Sequence, residues 1–316
     1  MRAAPALLAA LAVAACAPAP GGPPVGPPIG PGGAELGADA RVLGRFGDAR
    51  ALATDPAGRL YVVDAAESAV VVLSPAGMVL AALGGPGTRD GAFLDPADVD
   101  PTNGQAIFIA DAGAGTVAHV TAEGRTAETV AVPEVDPSRA AQAVGLVLRA
   151  LPRGRPVAVA AAPDGALYVV EAERGVVLRL DEQRGVERVL GGPEAGPAAL
   201  ARPVDVAVDD EGTVWVADAG RGVLQPFDAF GAPGPAVPVG GPGGPVAVDA
   251  AGDELVVVGP ASVTVRGASG DAVRAVDLGE PLVGAATTTV GLYVLTRTRL
   301  VRLAAPERPA TERPSP

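Results

Sequence analysis

The sequence has no lysine, one histidine, one cysteine, one asparagine and few aromatic residues, and these shortages exclude several classes of function. Its 24 basic residues are all arginine and are outnumbered by 36 acidic residues, which gives a formal net charge of -12. That charge would repel nucleic acid, and aromatic residues at 3% leave few rings on which bases could stack. With one histidine, a zinc site built from several histidines cannot form. We therefore predict no nucleic-acid partner and no multi-histidine metalloenzyme.

The single cysteine, Cys16, excludes an intrachain disulfide and directs attention to the N-terminal segment. Residues 6–15 form an apolar run that is too short to span a bilayer but has the length of a signal-peptide core. The run ends in VAAC, which resembles the bacterial lipobox. This resemblance implies a signal peptide over residues 1–15 and a lipid on Cys16. The alternative is an ordinary secretory signal that contains a chance cysteine.

The predicted location follows from this N-terminal segment. Lipidation would make the protein an exported, membrane-anchored lipoprotein of the cell envelope. Ala17, in place of an aspartate after the cysteine, resembles lipoproteins sent to the outer membrane, so we predict a location at the outer membrane or facing the periplasm. Residues 16–40 are rich in proline and glycine without any hydrophobic period, so we interpret them as a semi-extended tether. Residues 306–316 are interpreted as a disordered tail.

Between the tether and the tail, one motif occurs six times. Its first copy, residues 55–80, begins with an Asp-x-x-Gly turn and contains three apolar runs separated by turns at residues 64–67 and 74–77. Further copies begin near residues 100, 162, 209, 249 and 288, and most are preceded by a short strand such as PVDVAVD. Four strands in about 40 residues are typical of a propeller blade. We predict an all-β, six-bladed β-propeller of four-stranded antiparallel blades over residues 41–305.

The last repeat lacks a fourth strand, because the segment that follows residue 305 is rich in proline and charge. The strand-like segment RVLGRF, residues 41–46, precedes the first repeat and has no blade of its own. Pairing it with the last repeat would close the ring and remove two exposed sheet edges. We therefore predict a ring closed by an N-terminal strand.

The connections between repeats carry a family resemblance. Residues 83–100 (LGGPGTRDGAFLDPADVD) and 190–212 (LGGPEAGPAALARPVDVAVDDEG), with YVVDA and WVADA in the strands that follow the inner strands, resemble the NHL-repeat propellers. The resemblance implies a scaffold more strongly than an activity, since propellers of this kind bind proteins, nucleic acids or small molecules, and some are enzymes.

Strand alternation predicts which residues share a face of the ring. The turn after the second strand of each blade and the connection between blades should lie on one face, and both carry charged side chains. They form either an acidic crescent that receives a cation or a basic partner, or turns in which carboxylates bind nearby backbone amides. Two further carboxylates, those of Asp98 and Asp205, are predicted at the channel mouth. The candidate binding residues are therefore Asp64, Asp98, Asp111, Glu171, Asp205, Asp218, Arg202 and Arg221.

One connection is much longer than the others. Residues 133–155 insert a segment in which Asp136 can cap a helix, Pro137 suits its first turn, and apolar residues follow at helical spacing. We predict a short helix on the same face as the carboxylates. It would either form a wall of a binding site or act as a spacer over the blade junction.

The preferred function is a non-enzymatic scaffold that binds a protein or a small ligand on the face carrying the 133–155 insertion. The alternative is a metal-assisted hydrolase or lyase with a carboxylate site at the channel mouth, where Asp98, Asp205 and backbone carbonyls could hold Ca²⁺. Lactonases of the gluconolactonase type use Glu, Asn and Asp, but the only asparagine, Asn103, is predicted on the opposite face. A purely structural envelope protein is the third hypothesis.

Overall fold

The computed structural model describes residues 40–87, 91–136, 152–192, 195–239, 243–251, 254–267 and 270–303. Within these ranges the chain forms 24 β-strands, and two 3₁₀ turns at Ala65–Glu67 and Gly196–Ala198. No described helix is long and apolar enough to cross a membrane.

The strands form six antiparallel sheets of four strands, the arrangement of a six-bladed propeller. In blades 1 to 5 the strands follow chain order from the inner to the outer edge. Blade 1 has β2 (Ala49–Thr54), β3 (Leu60–Asp64), β4 (Ala69–Leu73) and β5 (Val79–Gly84); blade 2 has β6 (Pro96–Asp100), β7 (Ala106–Asp111), β8 (Thr116–Thr121) and β9 (Thr126–Ala131). Blade 3 has β10 (Pro156–Ala161), β11 (Leu167–Glu171), β12 (Val176–Leu180) and β13 (Val186–Gly191); blade 4 has β14 (Pro203–Val208), β15 (Val214–Asp218), β16 (Val223–Phe227) and β17 (Val237–Pro238). Blade 5 has β18 (Ala247–Ala251), β19 (Glu254–Gly259), β20 (Ser262–Gly267) and β21 (Gly270–Ala275).

The sixth blade combines both ends of the propeller sequence. It contains β22 (Leu282–Thr288), β23 (Gly291–Thr296), β24 (Arg299–Leu303) and, as its outer strand, β1 (Arg41–Arg45). β1 is antiparallel to β24, with Val42 opposite Val301 and Gly44 opposite Leu300. The predicted six blades and their N-terminal closure are confirmed.

The hydrophobic core is divided among the junctions between neighbouring blades. Each cluster combines residues of two adjacent sheets: Ile109 and Val63 lie in the cluster between blades 1 and 2, and Val206 and Val170 in the one between blades 3 and 4. Apolar β-branched residues in the middle strands alternate between the two sheet faces and so reach both neighbours. The blades are therefore held by burial at their shared faces, and each needs both neighbours.

The repeated Leu-Gly-Gly motif at the end of the outer strand has a packing role. Gly84 and Gly191 both have positive φ angles, 91° and 79°. A Cβ at Gly84 would overlap the ring of Phe93, and one at Gly191 would overlap Leu200. In both cases glycine admits a large side chain from the connection to the next blade, which fixes the start of that blade.

Candidate functional site

The turns after the second strands carry buried carboxylates that bind backbone amides. Asp218 is fully buried and accepts hydrogen bonds from the amides of Ala201, at 2.8 Å, and Arg202, at 2.9 Å. It also accepts one from Gly220 within its own turn, at 3.0 Å. The same arrangement recurs at Asp64 with Gly47 and Asp48, at Asp111 with Leu94 and Asp95, and at Glu171 with Arg155.

These hydrogen bonds show that the turn and the connection lie on one face of the ring, as strand alternation predicts. The four carboxylates themselves face backbone donors, with exposures of 4% for Asp64, 3% for Asp111 and 0% for Glu171 and Asp218. A carboxylate that accepts several amide hydrogen bonds stabilises a turn strongly. Their hydrogen bonds account for these residues without a ligand, and a binding role for them stays a prediction.

In blades 1 to 4, these hydrogen bonds also fix the backbone of the residue just before the inner strand. In blades 3 and 4 this residue is Arg155 and Arg202, whose carbonyls also accept the amides of Ala172 and Ala219, both at 3.0 Å. In blades 1 and 2 it is Asp48 and Asp95, and Arg50 donates to both, at 3.1 and 2.5 Å. One side of the channel mouth thus has acidic residues neutralised by arginine, and the neighbouring side has arginines.

A channel of about 310 Å³ runs between the six inner strands. Most of its lining is small and apolar, as at Ala53, Ala160 and Ala285. Among the described residues, the ionisable groups that line it are Arg50 and the six aspartates Asp98, Asp100, Asp205, Asp209, Asp210 and Asp249. Asp98 and Asp205 lie inside strands β6 and β14, whose pairing begins at Pro96 opposite Asp111 and at Pro203 opposite Asp218.

The channel aspartates reach sideways to the next blade. Asp98 accepts the amide of Val159 at 2.8 Å, and Asp100 accepts that of Ala161 at 2.6 Å. Asp205 accepts the amide of Val248 at 2.8 Å. Inner strands present unpaired amides at the channel edge, and these carboxylates satisfy three of them.

The channel raises the pKa of its carboxyl groups. Burial, with the charge of Asp100 adding to it, raises the pKa of Asp98 to about 6 and that of Asp249 to about 7. Burial also raises the pKa of Asp100, and burial together with the charge of Asp98 raises that of Asp205 well above its usual range. Each of these residues is half-buried in the channel wall, so its anion is poorly solvated.

The predicted calcium ligands can be compared with this geometry. Asp98 and Asp205 line the same channel and interact electrostatically. Among the described residues, however, no three Asp, Glu, His or Cys side chains are close enough together to hold a metal ion. Calcium takes six to eight oxygen ligands, so the described side chains fit such a site only with many backbone or solvent oxygens.

A groove of about 390 Å³ lies beside the channel mouth, between blades 3 and 4. Its apolar lining includes Leu200, Pro203 and Ala172. Its charged lining comprises Arg155, Glu173, Arg174 and Arg202. Arg174 forms an ion pair with Glu134, at 2.5 Å. Arg221, the other arginine among our candidates, does not line the groove and donates instead to the carbonyl of Ala199, at 2.6 Å, and to Gln225, at 3.1 Å.

Comparison with known proteins supports the fold. Residues 200–225, which cover β14, β15 and part of β16, match the family model of the NHL repeat. This chain is a six-bladed propeller with an NHL repeat. No protein of curated function matches its sequence significantly.

Several solved structures share the propeller fold. A catalytically inactive virginiamycin B lyase from Staphylococcus aureus with Quinupristin, in which a histidine is replaced by alanine, has a TM-score of 0.54 at 12% identity, over 81% of this chain and 80% of the lyase. A streptogramin B lyase has a TM-score of 0.54 at 14% identity, over 80% and 77%. A protein provisionally named a gluconolactonase has 0.59 at 17% identity, over 85% and 92%. At these identities the likeness shows the fold alone.

The sole histidine of this NHL-repeat propeller lies away from the channel. His119 is in β8, the third strand of blade 2, and its ring stacks on Phe108 with centroids 4.9 Å apart. The described channel lining contains no histidine.

Sequence reasoning missed Arg155, Asp100 and Asp249. The sequence does contain a signal for each: Arg155 precedes Pro156 as Arg202 precedes Pro203, and Asp100 and Asp249 occupy equivalent positions in their inner strands. Other predictions lie outside the described residues: the signal peptide, Cys16, the tether, the tail after residue 303 and the helical part of the insertion, residues 137–151.

Proposed function

We propose that this propeller is a lipid-anchored, extracytoplasmic binding module that holds a protein or a small ligand on the face bearing the 133–155 insertion, without catalysing a reaction. The observation that carries the proposal is that backbone amides occupy carboxylates of the channel. The channel carboxylates Asp98, Asp100 and Asp205 are engaged by backbone amides, and the remaining lining is mainly small and apolar.

The enzymes that share the fold provide a contrast. In the virginiamycin B lyase described above, replacement of one histidine accompanies loss of catalysis. The single histidine of this chain, His119, is stacked on Phe108 in a third strand, remote from the inner strands. The described inner strands contain no histidine that could act in catalysis, and we therefore favour binding over a histidine-dependent lyase reaction.

Residues at the two ends of the insertion pair with each other, so the insertion can be shortened to test its role in binding. Pro133 pairs with Arg153, the amide of Glu134 donates to the carbonyl of Pro152 at 2.8 Å, and that of Gly154 donates to Val132 at 2.9 Å. This antiparallel stem brings the two ends of residues 137–151 together. Replacing those residues by a short Asn-Gly turn should therefore leave β9 and β10 in place.

The experiment is crosslinking of the full-length protein in cells, followed by recovery from membranes and mass spectrometry of protein partners and of bound small molecules. We expect a specific partner or ligand that is lost from the variant with residues 137–151 replaced and retained in a control lacking residues 306–316. Cys16→Ser should shift the protein from the membrane fraction. Retained binding after the replacement would place the site elsewhere, and a partner-free wild type would favour the structural envelope protein.

A metal-assisted hydrolase or lyase with a carboxylate site is the second candidate, favoured by the coupling between Asp98 and Asp205 in one channel. A divalent cation there would stabilise both carboxylates as anions. This candidate predicts that Ca²⁺ or Mn²⁺ raises the melting temperature by several degrees, about the effect of saturating a site at 100 times its Kd. The shift should disappear in Asp98→Ala/Asp205→Ala. A flat metal titration of the wild type would leave the binding module as the better hypothesis.

A further inference from the structure

Two arginines at equivalent positions of neighbouring blades lie beside one groove. Arg155 precedes β10 and Arg202 precedes β14, and both side chains are exposed and line the cavity of about 390 Å³ between blades 3 and 4. Within the described part of the chain, neither guanidinium has a hydrogen bond or an ion pair, in contrast to Arg174 in the same groove, which pairs with Glu134. Among the described residues, the groove therefore holds two guanidinium groups without an ion pair, and the carboxylate of Glu173 is the one acidic group in its lining.

The backbone at both arginines is fixed by hydrogen bonds to buried carboxylates. The amide of Arg155 donates to the buried Glu171 at 2.9 Å, and that of Arg202 donates to the buried Asp218 at 2.9 Å. The bases of both side chains are thus held before a ligand arrives, which lowers the ordering cost of binding. Exposed arginines on flexible loops would not have this advantage.

The surroundings favour a small organic anion over other ligands. Arginine donates paired N–H groups that match the geometry of carboxylate and phosphate. The apolar part of the groove, formed by Leu200, Pro203 and Val204, suits a hydrocarbon or ring attached to the anion. A cavity of this size lies within the usual range for small-molecule sites. Its two unpaired arginines contrast with the net charge of -12 of the whole chain.

We propose that the groove between blades 3 and 4 binds the carboxylate or phosphate group of a small organic molecule, with Arg155 and Arg202 as the recognising residues. This inference rests on the proposed function, since it assigns a ligand class to the face on which we place binding. Arg155 and Arg202 hold the anionic group, and the apolar lining holds the rest of the molecule.

The test is isothermal titration calorimetry of the full chain after residue 39 with phenyl phosphate, benzoate, inorganic phosphate and, as a neutral control, phenol. We expect phenyl phosphate or benzoate to bind and phenol not to bind; inorganic phosphate should bind more weakly because it lacks an apolar part. Which of the two aromatic anions binds more tightly distinguishes a phosphate from a carboxylate ligand.

The variants Arg155→Gln and Arg202→Gln should each weaken binding about tenfold or more, the usual effect of losing a charge-assisted hydrogen bond. Arg125→Gln is the matched control: it removes the same charge from an 80% exposed side chain of blade 2 whose described ion pair spans 3.9 Å. Melting temperatures should stay unchanged in all three variants, because the structural hydrogen bonds at Arg155 and Arg202 come from backbone groups.

The proposal is overturned if neither aromatic anion binds the wild-type protein, or if both groove variants bind as the wild type does. Equal weakening in Arg125→Gln would also overturn it, since binding would then follow net charge alone. None of these results would affect the capture experiment on the 133–155 insertion, so this inference and the proposed function can fail separately.

Discussion

Aspartate residues have two different environments in this ring, a turn or the channel, and the position of the residue in the repeat determines which one it has. In the turns, Asp64 accepts three backbone amide hydrogen bonds, and Asp111 and Asp218 accept four each. In the channel, Asp98 and Asp249 have fewer donors and several carboxylate neighbours, so burial and mutual repulsion raise their pKa values. The turn aspartates stabilise the fold through these hydrogen bonds, whereas ionisation of the channel aspartates destabilises it.

The channel aspartates make stability depend on pH in a defined direction. The pKa of Asp249 in the folded protein is about 7, above the usual 3.8, so the folded state binds more protons than the unfolded state between these values. Its contribution is fully present below about pH 4 and is lost as the pH rises through 7. We expect the melting temperature to fall between pH 5 and pH 8.

Asp249→Asn tests this residue. It should raise the melting temperature at pH 8 by about 2–4 °C, the shift that about 1 kcal/mol gives in a domain of this size, and change it little at pH 4.5. Glu211→Gln removes one charge from an exposed turn and should leave the pH profile unchanged. A parallel profile for Asp249→Asn and the wild type would show that Asp249 ionises freely in the channel.

At the scale of the strand, the sequence predicts where the strands lie, but it does not predict which side chains of the inner strands face the channel. The six repeats, their four strands and the face shared by turns and connections all follow from apolar runs, turn residues and alternation. Alternation, however, assigns a side chain only to one of two sheet faces, while an inner strand also has an edge that faces the channel. Asp205 illustrates the difficulty: the segment PVDVAVD predicts the strand that begins at Pro203, but not that the carboxylate of Asp205 accepts an amide of the next blade.

The sequence does not predict that Arg155 and Arg202 line one groove between blades 3 and 4. Arg202 can be identified as a candidate from its position, but its partner in the groove, Arg155, is the last residue of the 133–155 insertion, which hides the equivalence of the two positions. The equivalence becomes visible once Glu171 and Asp218 are seen to bind the amides of the two arginines. The two residues are 47 positions apart in the sequence, and only the ring brings their blades side by side.

At the scale of the whole molecule, the ring depends on a strand from outside the repeats. β1 completes blade 6, and Leu43 and Phe46 pack against the cluster shared by blades 6 and 1, which includes Leu52 and Leu300. Without β1, strand β24 would become an open edge and part of this cluster would be exposed. The N-terminal strand is therefore the closure on which all six blade junctions depend.

Two truncated chains test the closure. A chain that starts at residue 47 should melt at least about 10 °C below one that starts at residue 40, because it loses the burial of Leu43 and Phe46, several kcal/mol together, as well as the β1–β24 pairing. It should also form aggregates on size-exclusion chromatography, through the open edge of β24. The chain that starts at residue 40 is the matched control, since it differs only in β1 and the residues next to it. Equal melting temperatures and monomeric elution of both chains would show that blades 1 and 6 hold together without the N-terminal strand, and that the ring is closed by side-chain packing alone.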